Sequence, residues 1–309
     1  MLKKVMFLIL FMLSLSCQKE KAIIKINDNT YSEINDLIKQ SRKTSISDSL
    51  RNTFLVEANK KLKKLNNDSL IIRSLVKIAY SNLLLRNWDN YKLTSLKVLN
   101  KANLSSDTIN ISRAQSYLAY YYQYNYKHDS AYYFYNKALN SFTLTKNEIE
   151  SGRMLLNMAT IQEDVKDYTG SEINAIKAIT NLKDSKQYRN LYLAHNLLGV
   201  VYKNLNKYNL AIQNHKIAIE YLDKINDEGS LRAMSLNNIG RIHSKVKEFE
   251  KSLEFYKTGL DIEGLHRSNT KIYAMLKDNL AYSKFKIGDH SELPLLFYES
   301  LKIRDSLKL

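Results

Sequence analysis

A chain of 309 residues with only one proline and eight glycines has few of the usual interrupters of regular structure, and no alternation of period two lasts long enough to suggest a sheet. A single cysteine excludes an internal disulfide and any multi-cysteine metal site. The formal charge of +16 taken alone points to an acidic partner such as nucleic acid or an anionic membrane, although Lys, Asn, Ile and Tyr are abundant throughout and spread that charge over the whole chain.

Residues 1–17 read MLKKVMFLILFMLSLSC. Lys3 and Lys4 form a basic start, residues 5–13 an apolar run, and small Ser16 precedes Cys17. That is the pattern of a secretory signal, too short to span a bilayer as a helix. The lone cysteine at this junction resembles a bacterial lipoprotein box, in which cleavage before Cys17 leaves its thiol to carry lipid. The usual box has Leu three residues before the cysteine, where this chain has Ser14 between Leu13 and Leu15. The run Gln18, Lys19, Glu20, Lys21 is similar to the charged cluster that follows the cysteine in surface-exposed lipoproteins of Bacteroidota. Residues 1–16 are therefore expected as a signal peptide and 17–30 as a lipid-anchored tether. The chain is expected in the bacterial cell envelope, on the outer membrane or facing the periplasm.

From residue 31 to 309 amphipathic helices follow one another. Residues 34–40 and 48–65 read as a shortened first pair. Beyond them a small residue recurs at Ala79, Ala119, Ala159, Gly199, Gly240 and Ala281, in steps of 40, 40, 40, 41 and 41. A second series keeps the same rhythm at Ala58, Val98, Ala138, Ala178, Ala218, Gly259 and Ser300. Small residues let two helices approach closely, so each series marks the contact line of a helix pair. An aromatic residue or histidine stands in each turn, at Trp88, His128, Tyr168, Tyr208, Phe249 and His290. The residue after it, Asp89, Asp129, Thr169, Asn209 or Ser291, is expected to cap the second helix, with Glu250 the exception.

The clearest unit is residues 191–222, LYLAHNLLGVVYKNLNKYNLAIQNHKIAIEYL, with a tight turn at 206–209. Leu198-Gly199-x2-Tyr202 followed by Ala211-x3-His215 resembles the tetratricopeptide repeat, L-G-x2-Y…A-x3-F. His195 stands where that family prefers Trp, and His215 where it prefers Phe. The expected fold is all-α: a right-handed superhelical solenoid of about six helix-turn-helix repeats of period 40–41, plus the shortened N-terminal repeat. Longer helices and linkers, such as 223–231, account for the excess over the usual 34 residues. Pro294 falls in the first turn of the last helix, where its missing N–H costs little.

That last helix carries Leu293, Leu295, Leu296, Leu301 and Ile303, where a terminal repeat needs a polar outer face. A free-standing relative, a truncated one, or one half of a homodimer joined through this helix each fits. Chains of this look in Bacteroidota often run on into a histidine kinase or a helix-turn-helix output domain, and this sequence has neither.

No HExxH, GxSxG, phosphate loop or dinucleotide-binding glycine turn occurs. His128, His195, His215, His243 and His290 fall in packing or turn slots, and His266 in a linker. The expectation is a non-enzymatic protein, with no cofactor and no metal. What remains is a surface. Arg73, Arg113 and Arg153 stand six residues before successive small positions, and guanidinium groups at one spacing suit carboxylates of an acidic peptide or chain terminus. Tyr117, Tyr120 and Tyr124 share a helix face near Arg113, either lining a groove or forming a packing layer between helices. Asn157, Asn196, Asn237, Asn238 and Asn279, with Arg241, extend the polar lining. The family resemblance implies a peptide-binding groove on the first helices, so the expected partner is a protein or peptide, possible acidity included, with nucleic acid opposed by the export signal. The alternative is a sensory module related to a two-component kinase or transcriptional regulator that lacks its own output domain.

Overall fold

The computed structural model describes residues 28–225 and 229–307, so the signal sequence and Cys17 lie outside the described residues. Every regular element among those residues is helical. Helix α1 covers 28–41 and is followed by α2 (Asp48–Lys61), a 3-10 turn (Leu62–Lys64), α3 (Asp68–Leu84), α4 (Trp88–Leu104) and α5 (Thr108–Tyr124). Then come α6 (His128–Leu144), α7 (Glu148–Asp164), α8 (Tyr168–Leu182), α9 (Tyr188–Asn204) and α10 (Tyr208–Leu222). The chain ends with α11 (Ser230–Lys245), α12 (Phe249–Leu260), the single turn α13 (Leu265–Ser268), α14 (Thr270–Lys286) and α15 (Leu293–Leu307). Two compact units emerge, Met1–Ser141 and Phe142–Leu309. Helix α1 starts three residues inside the expected tether, with Thr30 already buried, and the α1/α2 pair is the shortened repeat.

Five pairs are closed by the same three-residue turn: 85–87, 125–127, 165–167, 205–207 and 246–248, while α1/α2 and α14/α15 are joined by six residues each. The middle residue is left-handed, at Arg86, Tyr126, Lys166, Asn206 and Lys247, with φ between 53° and 65°. The third residue then donates its N–H back to the helix just ended, as Asn87 does to the Asn82 carbonyl at 2.9 Å and Lys207 to that of Tyr202 at 2.8 Å. This Schellman closure satisfies carbonyls that the helix end would otherwise leave open. Glycine is the ordinary occupant of such a position, and a side chain there costs roughly 1–2 kcal/mol.

The turn also corrects the expected caps. The aromatic residue is itself the first residue of the second helix, so Asp89, Asp129, Thr169 and Asn209 lie inside the first helical turn. The capping position is the third turn residue: Asn87 accepts from the Asn90 N–H at 3.4 Å and Asp167 from that of Gly170 at 3.0 Å. Lys207 and Glu248 provide no capping side chain. Side-chain caps recur on α3, α5 and α7 as well, where Asn67, Asp107 and Asn147 stand at steps of 40 and each accepts from the residue three ahead.

Both series of small residues are buried throughout. A side chain built on Gly199 would lie 2.5 Å from the His215 ring, and one on Gly240 would lie 2.4 Å from Tyr256. Large and small alternate across the contact: where the first helix offers no side chain, the second inserts a ring. One repeat before the Gly199/His215 pair the same two slots hold Ala159 and Ala175, both fully buried in one cluster. The core is accordingly a series of local clusters. Ile34, Leu55 and Ile78 join α1 to α3, and Tyr256, Leu276 and Leu296 join α12 to α15.

The length of the repeat arises in two ways. Between α4 and α5, and between α6 and α7, only three residues intervene, so the excess lies in helices of 17 residues. In the second unit the second helices shorten to 15 and 12 residues and the linkers after them lengthen.

Replacing Gly199 by Ala should destabilise the protein by roughly 1–3 kcal/mol, because the methyl group must displace the His215 ring. In a His215→Ala background, which recreates the Ala159/Ala175 arrangement, the same substitution should cost far less. Denaturant unfolding of the four proteins tests this, and an equal cost in both backgrounds would refute the contact.

Candidate functional site

Arg73, Arg113 and Arg153 are the sixth residues of α3, α5 and α7. Arg73 and Arg113 belong to the first unit and Arg153 to the second. Arg73 and Arg153 are exposed and Arg113 is half-buried. Arg113 donates from Nη1 to Asn110 Oδ1 at 2.6 Å, and the Asn110 amide donates to Asp107 at 2.7 Å. Arg153 donates to Glu150 at 3.0 Å. Each of these two guanidinium groups is thus steadied by the residue three before it on its own helix, with further donors left for a ligand. Arg73 lies near Tyr31, whose phenol burial would push up. Hydrogen bonds from Lys77 and Asn35, with the charges of Lys77 and Arg73, hold it below the ordinary range.

The three tyrosines of α5 turn towards α4. Trp88 stacks on Tyr124 with ring centres 3.6 Å apart, Tyr120 lies 6.1 Å from Trp88, and Tyr117 lies 5.8 Å from Tyr91. Tyr91 is buried, and that burial raises its phenol pKa. The cluster therefore grades from core to surface. Tyr91 and Tyr117 belong to the packing layer between helices, while Tyr120 and Tyr124 keep 42% and 51% of their area exposed. The packing layer thus accounts for one end of the stack, and Tyr120 and Tyr124 form its exposed end.

The asparagines separate in the same way. Asn157 and Asn238 are half-buried. Asn237 is 1% exposed and accepts from Asn279 Nδ2 at 2.8 Å. Asn196 Oδ1 accepts from His215 Nδ1 at 3.0 Å and from Ser235 Oγ at 3.3 Å. A reciprocal bond runs from His195 Nδ1 to Asn214 Oδ1, also at 3.0 Å. Neighbours His195 and Asn196 on α9 thus cross to neighbours Asn214 and His215 on α10. This pair of bridges accounts for both departures from the repeat pattern, because each histidine that stands where the family has an aromatic ring finds an amide partner on the facing helix. Burial holds both imidazoles below their ordinary range, His215 to about 3 with repulsion from Lys203 added. These are neutral structural rings, and Asn196 and Asn237 are spent inside the fold.

Arg241 and Asn279 meet at a cavity of about 510 Å³ between α11 and α14, which Lys245, Lys247, Lys286 and Tyr282 also line. Lys245, Lys286 and Tyr282 were not among the expected residues. Their signal was nevertheless in the register. Arg241 and Tyr282 follow the small positions Gly240 and Ala281 by one residue, and Lys245 and Lys286 follow them by five.

The buried His215 ring sets a pH dependence. Above the unfolded value of 6.5 the ring is neutral in both states. As pH falls from there towards about 3, the unfolded chain binds a proton that the native chain refuses, so stability is lost. The slope from this one group approaches about 1.4 kcal/mol per pH unit. His215→Phe keeps a ring and removes the titration, so its stability between pH 6 and 4 should fall less steeply than that of the parent. Parallel curves from urea unfolding would sink the assignment.

The sequence matches no protein-family model and no curated protein. Solved structures do resemble it. The STAND signal-transduction ATPase with a tetratricopeptide repeat sensor from Pyrococcus horikoshii aligns with TM-score 0.70 and 16% identity, over 92% of this chain and 43% of that one. The apo quorum sensor NprR from B. thuringiensis aligns with TM-score 0.65 and 12% identity, over 91% and 77%. Aspartyl phosphate phosphatase F from Bacillus subtilis aligns with TM-score 0.60 and 16% identity, over 94% and 74%. The closed helix pairs, their register and these likenesses make the fold that of a tetratricopeptide-repeat array.

Proposed function

We propose that the protein is a non-enzymatic scaffold that holds a protein or peptide partner on the exposed faces of its first helices. The observation that carries this reading is the use of polar side chains there. Arg73, Arg113 and Arg153 recur at one position of the repeat, Arg73 and Arg153 exposed and Arg113 half-buried. Among the described residues, Arg113 and Arg153 hydrogen-bond to neighbours on their own helices, which orients the groups without using all their donors. Guanidinium forks so placed suit carboxylates of an acidic segment. Exposed Tyr120 and Tyr124 add rigid rings beside Arg113 at low entropic cost.

A second reading has one specific support. NprR is named as a quorum sensor, and the STAND ATPase carries a tetratricopeptide repeat sensor. The present chain would then be a sensory module whose output passes through a partner. In either case the location we propose is the cell envelope, with Cys17 as the lipid-bearing residue behind a cleaved signal peptide, on the strength of the basic and apolar run before it. Exposed Leu295, Phe297 and Leu301 on α15 are where a second copy would join if the protein dimerises.

Two outcomes check these proposals. Reversal of Arg73, Arg113 and Arg153 to Glu should weaken binding of a fluorescent oligoglutamate peptide and flatten its salt dependence. Reversal of Lys127, Lys166 and Lys216, equal in net charge, should do much less, and equal losses would leave only bulk charge as the cause. For the anchor, Cys17→Ser should move the protein from the membrane pellet to the soluble fraction of its bacterial host. Retention in the pellet would rule out lipid attachment at this residue.

A further inference from the structure

The cavity between α11 and α14 lies wholly within the second unit and has a charge that the fold does not use. Arg241, Lys245, Lys247 and Lys286 line it, and no lining residue is acidic. Neighbouring cations are neutralised: Lys251 pairs with Glu248 at 2.8 Å, and Lys284 with Asp289 and Glu292 at 2.9 and 3.1 Å. Among the described residues no ion pair takes in any of the four lining cations. Lys286 lies 5.4 Å from the centre of the Tyr282 ring and 5.9 Å from that of Phe285, and neither contact neutralises its charge. The crowding is felt on α9 as well. Burial first, then repulsion from Arg241 and Lys245, hold the Lys203 ammonium below the ordinary lysine range, with Glu163 only partly opposing them.

Four like charges around one opening repel one another, and an anion seated among them would relieve that repulsion. A single carboxylate balances one of the four. A phosphate dianion balances two and has enough oxygens for a guanidinium fork and two ammonium groups together. The volume adds a second constraint. At about 510 Å³ the cavity is far larger than an inorganic ion requires and falls among sites for organic ligands. Its remaining walls include the rings of Tyr282, Phe249 and Tyr256, which suit an apolar or aromatic body.

We propose that this cavity binds a phosphate monoester with an aromatic or apolar body, the phosphate held by Arg241, Lys245 and Lys286 and the body against Tyr282 and Phe249. The site goes beyond the partner-binding reading and needs no acidic peptide. Failure of oligoglutamate binding leaves it intact, and its own failure leaves that reading intact.

Calorimetric titration of the full chain with phenyl phosphate, inorganic phosphate and benzoate tests the proposal. Phenyl phosphate should bind about tenfold or more tightly than either fragment, and Arg241→Gln or Lys286→Gln should each weaken it by about tenfold, as loss of a charge-assisted hydrogen bond does. Lys216→Gln, on the exposed side of α10, should leave the affinity unchanged. Arg241 is exposed, so its replacement spares the core, and unchanged thermal midpoints confirm that each variant is folded. Equal affinity for the three probes, or an equal loss in Lys216→Gln, overturns the site. A competition arm then assigns the source. Displacement of phenyl phosphate by a phosphotyrosine peptide, and not by its unphosphorylated form, supports a phosphorylated protein segment. Displacement by neither supports a small soluble ester.

Discussion

Close approach of two helices at a nearly absent side chain is the constraint from which the rest of the structure follows. At Gly199 and Gly240 a ring from the second helix occupies the space where a Cβ would stand. That contact sets the distance within each pair, and the distance decides which residues are buried. Because each cluster joins only neighbouring helices, stability is close to a sum over pairs and their interfaces. The parts of the first helices that this packing leaves uncovered carry Arg73 and Arg153, and Tyr120 and Tyr124 keep an exposed edge beside Trp88.

Much of this was legible from spacing. The two series of small residues ran in register over the whole array, and all of them proved to be buried. Helix pairing followed, because a period of 40 with one turn signal per unit admits little else. The ends of helices were less legible. An aromatic residue beside an aspartate looks like a turn followed by a cap, yet Trp88 opens its helix and the cap is Asn87. The left-handed turn positions were hidden for a similar reason, since Arg86, Tyr126, Lys166 and Lys247 are not residues that announce positive φ.

The polar site residues were legible as positions and not as roles. Asn196 and Arg241 both lie on first helices, but one is used by His215 and Ser235 and the other faces an open cavity. Periodicity places a side chain on a face, and cannot say whether its hydrogen bonds are already taken. The same holds for charge. Several lysines pair with carboxylates of other helices, as Lys61 does with Glu33 and Lys101 with Asp68, and exposed pairs of that kind contribute little. The net charge of +16 is thus not evenly free, and four cations without an ion pair among the described residues line the cavity where α11 meets α14.

The three-residue turn serves two helices at once. Its last residue closes the helix behind it through the N–H and opens the helix ahead as the capping position, so no residue can be added there without undoing one end or the other. Two joints between pairs, 105–107 and 145–147, repeat this closure with Ser106 and Lys146 left-handed, and the remaining joints do not. The joints run from three residues between α4 and α5 to nine, α13 included, between α12 and α14, and the step of the repeat lengthens from 40 to 41 across the longer ones. The three-residue turn is thus the stiff element wherever it occurs, and the longer joints in the second unit are the adjustable couplings. Insertions, deletions and duplications of whole units can accumulate at the couplings while every pair keeps its internal geometry, a division of labour through which such a chain changes its reach without relearning how to fold.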